Sequence, residues 1–217
     1  MAWKFPRIYP ILDASQIPST ARDEFLRRLG GSLADAGVTL LEYRNKTGPD
    51  TEIRGDAEAL RAAMPAGQVK LILDDRADLV DAVDFDGAHV DAGDVSVREA
   101  RRLVGPDRIV GTFGGGDALL PGILSEPADY FAVGPVFTTT TKQTDKRPIG
   151  VEGVRRLRRE AGPDAILTAA AGITLETAPA VLEAGASAVA VSAAIFLSAD
   201  PAAEFRRWNE TLACVKK

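Results

Sequence analysis

Four consecutive threonines stand directly before a lysine in the segment GPVFTTTTKQTDKRPIG, which covers residues 134–150. Hydroxyl groups donate hydrogen bonds and a lysine ammonium is a compact cation, so Thr139, Thr141 and Lys142 could together hold an anion such as phosphate. A polar surface loop between two elements has the same composition. Taken alone, the segment favours the surface loop, and an anion site needs support from other parts of the chain.

Further charged and polar side chains follow short apolar segments of the sequence. Mg²⁺ is usually held by one or two carboxylates together with substrate phosphates, which makes Asp75 and Asp94 candidate metal ligands. Arg44 and Lys46 are cations that could neutralise a pyrophosphate. The full set consists of Glu42, Arg44, Lys46, Asp74, Asp75, His89 and Asp94.

Each of these residues also has an ordinary structural interpretation. Carboxylates at strand ends often cap the next helix, and Arg44 and Lys46 could be surface charges. His89, the single histidine, ends an apolar run as a hydrogen-bonded structural histidine would. The segment GTFGGGD lacks the lysine of a P-loop and the spacing of a dinucleotide fingerprint, so it predicts a flexible turn before a phosphate site.

Eight apolar segments rich in β-branched residues alternate with amphipathic stretches, and they predict the elements that position these side chains. Continuous apolar runs are typical of strands that are buried on both faces. The repetition predicts eight strand–helix units in an α/β fold, a (β/α)8 TIM barrel, with a doubly wound open sheet as the alternative. The segments cover residues 7–13, 38–44, 69–75, 86–90, 108–113, 129–135, 165–172 and 188–192.

Helical patterns fill the intervals between the strands. Residues 21–37 place Phe25, Leu29 and Leu33 on one stripe, and Gly37 ends the pattern. A second helix follows Asp94 and stops at Gly105. A third is expected from an N-cap at Thr174 to Gly185. No linker divides the chain, so we expect a single domain over residues 1–217, with the barrel over about 7–200 and a C-terminal helix over 201–217.

The barrel gives the charged residues a common position. Active sites of these barrels lie at the carboxyl ends of the strands, and helix starts after strands seven and eight are natural phosphate seats. Two anion sites beside a metal predict chemistry on a diphosphate, with a second phosphorylated ligand next to it.

Composition narrows the class of partner. The 217 residues carry a net charge of −5 without a basic cluster, which argues against nucleic-acid and membrane-surface partners. The single cysteine, Cys214, has no histidine near it in sequence, so a catalytic thiol is not expected. No secretory leader and no run of 18 apolar residues is visible, so we expect a cytoplasmic protein, and a homodimer is compatible with these features.

Several motifs resemble the thiamine phosphate synthase family over about Tyr9 to Phe196. The most specific is VGPVFTTTTK, and LLEYRNK, LILDDRADL, DGAHV and GPDRIVG are similar to other family segments. The resemblance implies a barrel that joins hydroxymethylpyrimidine diphosphate to thiazole phosphate and releases thiamine phosphate and pyrophosphate. It also implies Mg²⁺ as cofactor and small-molecule substrates as the partners.

The resemblance also implies roles for individual positions. It implies that pyrophosphate is bound by Arg44, Lys46 and Lys142, with Asp74 beside them. It implies that Mg²⁺ is bound by Asp75 and Asp94. The thiazole phosphate falls to Thr139, Thr141 and the backbone N–H groups of Gly172, Ser192 and Ala193. The remaining substrate contacts fall to Glu42, His89 and Phe113.

The chain departs from the family pattern inside this site. Glu42 stands where the family usually has glutamine, Asp74 where it has asparagine, and Phe113 where it has a serine that contacts the pyrimidine diphosphate. One alternative function is an isomerase like the related aminothiazole tautomerases, but Gly115 stands where those enzymes use a histidine, which weakens that alternative. A phenylalanine in place of a hydroxyl favours a second alternative, a diverged barrel that binds phosphate or thiazole phosphate without catalysis.

Overall fold

The structure is a computed structural model that describes residues 4–139 and 147–215. Parallel strands follow one another in chain order around a closed barrel, and the eighth strand pairs with the first. This closure confirms the (β/α)8 prediction, and the open-sheet alternative is wrong. The strands are β1 (Ile8–Asp13), β2 (Leu40–Arg44), β3 (Lys70–Asp74), β4 (Gly87–Val90), β5 (Ile109–Gly115), β6 (Tyr130–Val133), β7 (Leu167–Ala170) and β8 (Ala188–Val191).

Helices cover the outside of this barrel. The helices α1 and α2 pack against each other, and α7 returns to contact α1. None of the helices in the described segments is both long and apolar enough to cross a bilayer. They are α1 (Arg22–Asp35), α2 (Asp50–Ala63), α3 (Val97–Val104), α4 (Gly150–Ala161), α5 (Ala178–Glu183), α6 (Ala193–Phe196) and α7 (Pro201–Ala213).

Two connections lack the α-helix that the repeated strand–helix units predict. Residues 77–84, between β3 and β4, form consecutive turns. Between β5 and β6 there is only a 3-10 turn at Ile123–Ser125. Pro121 and Gly122, the latter at φ 72°, stand directly before this turn and oppose a longer helix. The prediction of a helix in every unit is therefore wrong at these two places.

The predicted helix ends at glycine residues agree with the structure, but the predicted start of the third helix does not. Gly37 ends α1 at φ 92° and Gly105 ends α3 at φ 86°, both as predicted. The third predicted helix begins later than expected. Thr174 opens a turn, in which its carbonyl oxygen accepts from the backbone N–H of Ala178, and α5 itself starts at Ala178.

The barrel interior is filled at the amino end of the strands. A cluster of inward side chains closes this end, with Phe5 packed against its two tyrosines. Because the amino half of the barrel is filled, any ligand must enter from the carboxyl ends of the strands. The cluster consists of Tyr9, Leu40, Ile72, Tyr130 and Ala190.

Candidate active site

A cavity of about 650 Å³ opens at the carboxyl ends of the strands. Lys46, Asp75 and Asp94 lie beside this cavity rather than in its wall. Thr141 and Lys142 fall within residues 140–146, outside the described residues, so the predictions for them stay predictions. The predicted site residues that line the cavity are Glu42, Arg44, Asp74, His89, Phe113, Thr139, Gly172, Ser192 and Ala193.

Cations and carboxylates alternate along one side of the cavity. Arg44, at the end of β2, forms an ion pair with Asp13 at the end of β1, and its Nε lies 3.1 Å from Oδ2 of Asp74. The same Asp74 oxygen lies 3.9 Å from Nζ of Lys46, which also pairs with Asp75. Burial, followed by the charge of Glu42, raises the pKa of Asp74 well above its usual range. This side of the cavity therefore holds two cations, Arg44 in the wall and Lys46 beside it, and each is fixed in place by carboxylates.

Asp75 uses one carboxylate oxygen, Oδ2, for its ion pair with Lys46 and keeps the other buried. Its backbone is left-handed, with φ 65°, and its N–H donates to the carbonyl oxygen of His89 at 2.8 Å. Among the described residues, its buried Oδ1 has no hydrogen-bond partner. Burial and the adjacent Asp75 carboxyl raise the pKa of Asp94, since two neighbouring carboxylates repel each other. Carboxylate oxygens are hard donors of the kind that Mg²⁺ prefers, so the chemistry of this pair fits that ion.

The protein supplies few ligands to such an ion. Within residues 4–139 and 147–215, no group of three or more histidine, cysteine, aspartate or glutamate side chains is arranged to hold a metal. A magnesium ion shared with a substrate diphosphate needs only one or two carboxylates from the protein, so the pair Asp75 and Asp94 fits that use and not a closed structural site.

Four buried side chains form a hydrogen-bonded row at the bottom of the cavity. The Tyr9 hydroxyl donates to Oε2 of Glu42 at 2.6 Å and lies 2.6 Å from the Tyr130 hydroxyl. Nδ1 of His89 lies 3.0 Å from the same Tyr130 hydroxyl. Burial alone would lower the pKa of His89, but the hydrogen bond with Asp91 and the charges of Glu42 and Asp74 outweigh it and raise the pKa to about 9.

The opposite side of the cavity is made of backbone. Ala171 and Gly172 are both left-handed, with φ 77° and 66°, and they follow β7 directly. A Cβ on Gly172 would lie 2.4 Å from the carbonyl oxygen of Thr138, so only glycine fits where this turn meets the threonine segment. Ser192 precedes α6, and its hydroxyl accepts from Nε2 of Gln16 at 3.0 Å.

The sequence was compared with protein-family models and with known proteins. The family model described as thiamine monophosphate synthase matches residues 8–195. The chain belongs to the thiamine monophosphate synthase family. The thiamine-phosphate synthase of Koribacter versatilis (strain Ellin345) is 39% identical over 190 residues, which are 88% of this chain and 89% of that protein. That of Agrobacterium fabrum is 40% identical over 167 residues, 76% of each chain.

A solved structure supports the fold independently. Thiamine phosphate pyrophosphorylase from Pyrococcus furiosus matches with a TM-score of 0.77 at 24% identity, and the match covers 97% of this chain and 98% of that one. The resemblance inferred from the sequence motifs is confirmed by these comparisons.

Two departures from the family motifs can now be located in the barrel. Phe113 lies in the cavity wall, so its ring occupies the part of the wall where the family serine is expected. A Cβ on Gly115 would lie 2.2 Å from the carbonyl oxygen of Ala118, because the chain folds back over β5 there and Gly115 bridges to Leu119. No histidine fits at that position, so the isomerase alternative has no base there.

Several site residues were missed by the sequence analysis. Asp13 leaves β1 as the predicted residues leave other strands, so the rule of strand ends would have found it. Tyr9 and Tyr130 sit in apolar runs, and no local pattern signals that their hydroxyls meet across the barrel. Thr168, buried in β7, lines the cavity and its hydroxyl has no partner among the described residues.

Proposed function

We propose that the protein is a thiamine-phosphate synthase that joins hydroxymethylpyrimidine diphosphate to thiazole phosphate. The bond between the pyrimidine methylene carbon and the diphosphate oxygen breaks, and the thiazole nitrogen forms a bond to that carbon. Thiamine phosphate and pyrophosphate leave. The observation that carries the proposal is the set of ion pairs that links Arg44, Asp74 and Lys46 at the cavity, in a chain that belongs to this family.

The two cations of these ion pairs would stabilise the negative charge that develops on the leaving pyrophosphate. Arg44 and Lys46 would hold the diphosphate, and they are already oriented by Asp13, Asp74 and Asp75. Preorganised cations stabilise negative charge that develops on a leaving group at little reorganisation cost. Asp75 and Asp94 would hold Mg²⁺, which when bound neutralises part of the diphosphate charge.

The cavity wall would shield the pyrimidine cation, the other product of the bond cleavage, from water. Ile11, Phe113 and Ala132 give it an apolar lining around the expected position of the pyrimidine ring. Such a lining excludes water from a reactive cation, and the two substrates are held close enough that the thiazole nitrogen can reach it first. No protein nucleophile is required. The turn at Gly172 and the start of α6 are the proposed seat of the thiazole phosphate.

A second candidate function follows from Phe113. Its ring stands in the wall where a hydroxyl would contact the pyrimidine diphosphate, which favours a barrel that keeps an anion pocket without turnover. The retained carboxylate pair favours the enzyme.

One assay separates the two candidates. The purified protein is mixed with hydroxymethylpyrimidine diphosphate, thiazole phosphate and Mg²⁺, and thiamine phosphate is detected by its oxidation to a fluorescent thiochrome. Product that requires Mg²⁺ and disappears in Asp75→Ala supports the synthase. Absence of product, with thiazole phosphate still raising the melting temperature, would support the binding barrel.

A further inference from the structure

The buried row at the cavity bottom depends on one tyrosine. Tyr130 extends over Gly111, where a Cβ would lie 1.9 Å from Cζ of its ring, so the glycine makes room for that ring. The hydroxyl of Tyr130 thereby reaches both Tyr9, at 2.6 Å, and His89, at 3.0 Å. The phenol is fully buried at 0% exposure, and its contacts are therefore not exchanged with bulk water.

Counting hydrogen atoms gives the row a direction. A tyrosine hydroxyl carries one hydrogen, and that of Tyr9 is used for Glu42. Tyr130 must therefore donate to Tyr9, and the Tyr130 oxygen must accept from Nδ1 of His89. Every hydrogen in the row then points towards Glu42, which stands at its end as a hydrogen-bond acceptor.

A glutamate held in this way differs from the glutamine that the family motif has at the same position. An amide can rotate to present either an oxygen or an NH₂ group, whereas a carboxylate can only accept. Burial raises the pKa of Glu42, and the charge of His89 and the hydrogen bond from Tyr9 act against that rise and favour the carboxylate form. Glu42 lines the cavity, so a substrate ring opposite it must offer a donor. A ring that offers a carbonyl oxygen would leave two acceptors facing each other in a buried place, which is costly.

We propose that Tyr130 is a positioning residue that, through Tyr9, holds Glu42 as an acceptor, so that the cavity selects a pyrimidine diphosphate with an amino group over its oxo analogue. The proposal rests on the proposed function, which supplies the pyrimidine diphosphate. Tyr130 does not touch the substrate in this arrangement. Loss of its hydroxyl should change the preference between the two substrates, which a residue needed only for folding would not do.

The test compares two substrates in four proteins. The ratio of kcat/KM for the aminopyrimidine diphosphate to kcat/KM for the oxo analogue is measured in the unchanged protein, Tyr130→Phe, Glu42→Gln and Tyr43→Phe. Tyr43 is the matched control, because it is also fully buried but bonds to Asp56 on the outer side of β2. We expect a ratio of about 100 or more in the unchanged protein, as for a site whose polar groups would otherwise be left unpaired.

Tyr130→Phe should lower this ratio by about tenfold, mainly through a higher KM for the amino substrate, because the Tyr9 hydroxyl is then free to turn away. Glu42→Gln should lower it at least as far, and Tyr43→Phe should leave it unchanged. An unchanged ratio in a folded Tyr130→Phe protein overturns the proposal, as does an equal fall in Tyr43→Phe. If Tyr130→Phe fails to fold, Tyr9→Phe, which removes the donor to Glu42 directly, decides in the same way.

The failure of this proposal can be told apart from the failure of the proposed function. If the unchanged protein makes no thiamine phosphate, the function fails, and the same four proteins are compared by calorimetric binding of the two diphosphates. A preference for the amino compound that falls in Tyr130→Phe and not in Tyr43→Phe then supports the positioning role without catalysis. Equal affinity of the unchanged protein for both compounds overturns it.

Discussion

Nε of Arg44 lies 3.1 Å from Oδ2 of Asp74, and the same guanidinium also pairs with Asp13. One arginine thus joins the ends of β1, β2 and β3 at the cavity wall. Its planar fork is oriented by two carboxylates, so little side-chain entropy remains to be lost when an anion binds. This relationship makes Arg44 the anchor of the proposed diphosphate site.

Arg44→Lys should weaken pyrophosphate binding by roughly ten- to a hundredfold, because a single ammonium cannot contact both carboxylates and the anion in one plane. Isothermal titration of pyrophosphate in the presence of Mg²⁺ measures the change. Arg76→Lys is the matched control, since Arg76 also joins two carboxylates, those of Asp50 and Asp78, away from the cavity. Equal losses in the two variants would contradict a specific role for Arg44.

Asp75→Asn should weaken Mg²⁺ binding by at least about tenfold, because it removes one of the two carboxylates expected to hold the ion. Its buried Oδ1, which has no partner among the described residues, is the atom expected to face the metal. Binding of Mn²⁺ as a spectroscopic probe measures this without any turnover. Asp81→Asn, an exposed carboxylate paired with Arg108, should leave the affinity unchanged. Unaltered Mn²⁺ affinity in Asp75→Asn would remove this residue from the metal site.

The sequence predicts the side of the barrel on which the site lies better than it predicts the contacts within the site. Arg44, Asp74 and His89 could be assigned to one place because carboxyl ends of parallel strands meet at one end of a barrel. The link between Glu42 and His89 could not, because it runs through two tyrosines on β1 and β6, strands that do not pair with each other. That link depends on the diameter of the closed barrel and on the missing side chain at Gly111, and neither is encoded in a local pattern.

The missing helices have a similar explanation. A strand–helix repeat predicts its own continuation, but residues 77–84 bury Leu79, Val80 and Val83 through turns instead. An apolar segment of that length covers the barrel in either conformation, so periodicity alone does not choose between them.

Phe113→Ser should raise kcat/KM for thiamine phosphate formation by roughly tenfold, because it restores a hydroxyl donor and opens space in the cavity wall. The same change should lower the free energy of unfolding by about 1–3 kcal/mol through lost apolar contact. The thiochrome assay and urea denaturation measure the two effects. Loss of stability without any gain in activity would show that Phe113 is tolerated by the reaction.

Gly172→Ala should destabilise the protein by more than about 2 kcal/mol and abolish the response of its melting temperature to thiazole phosphate. The added methyl would meet the Thr138 carbonyl oxygen at 2.4 Å, in a backbone with φ 66°. Gly37→Ala is the control, since its φ of 92° is also left-handed but nothing lies within 4 Å of the new Cβ. It should cost about 1 kcal/mol and leave the thiazole phosphate response intact. Similar losses in both variants would contradict the steric argument.

His89 should titrate with a pKa of about 9 in the folded protein, above the 6.5 that is usual for histidine. A folded pKa above the unfolded one means that the protonated form stabilises the fold. That contribution is complete below about pH 6.5 and is lost as the pH rises through 9, with a size on the order of 3 kcal/mol. Because His89 is the single histidine, its ¹⁵N resonances can be followed without assignment of other rings.

Asp91→Asn should lower the His89 midpoint, because Oδ1 of Asp91 lies 3.4 Å from Nε2 and its charge favours the imidazolium. The same NMR titration measures the shift, and chemical denaturation at pH 6.5 and pH 9.5 measures its effect on stability. The difference in unfolding free energy between the two pH values should be smaller in Asp91→Asn than in the unchanged protein. A His89 midpoint at or below 6.5 in the unchanged protein would mean that burial outweighs the surrounding carboxylates, and the imidazolium would then contribute nothing to stability at pH 6.5.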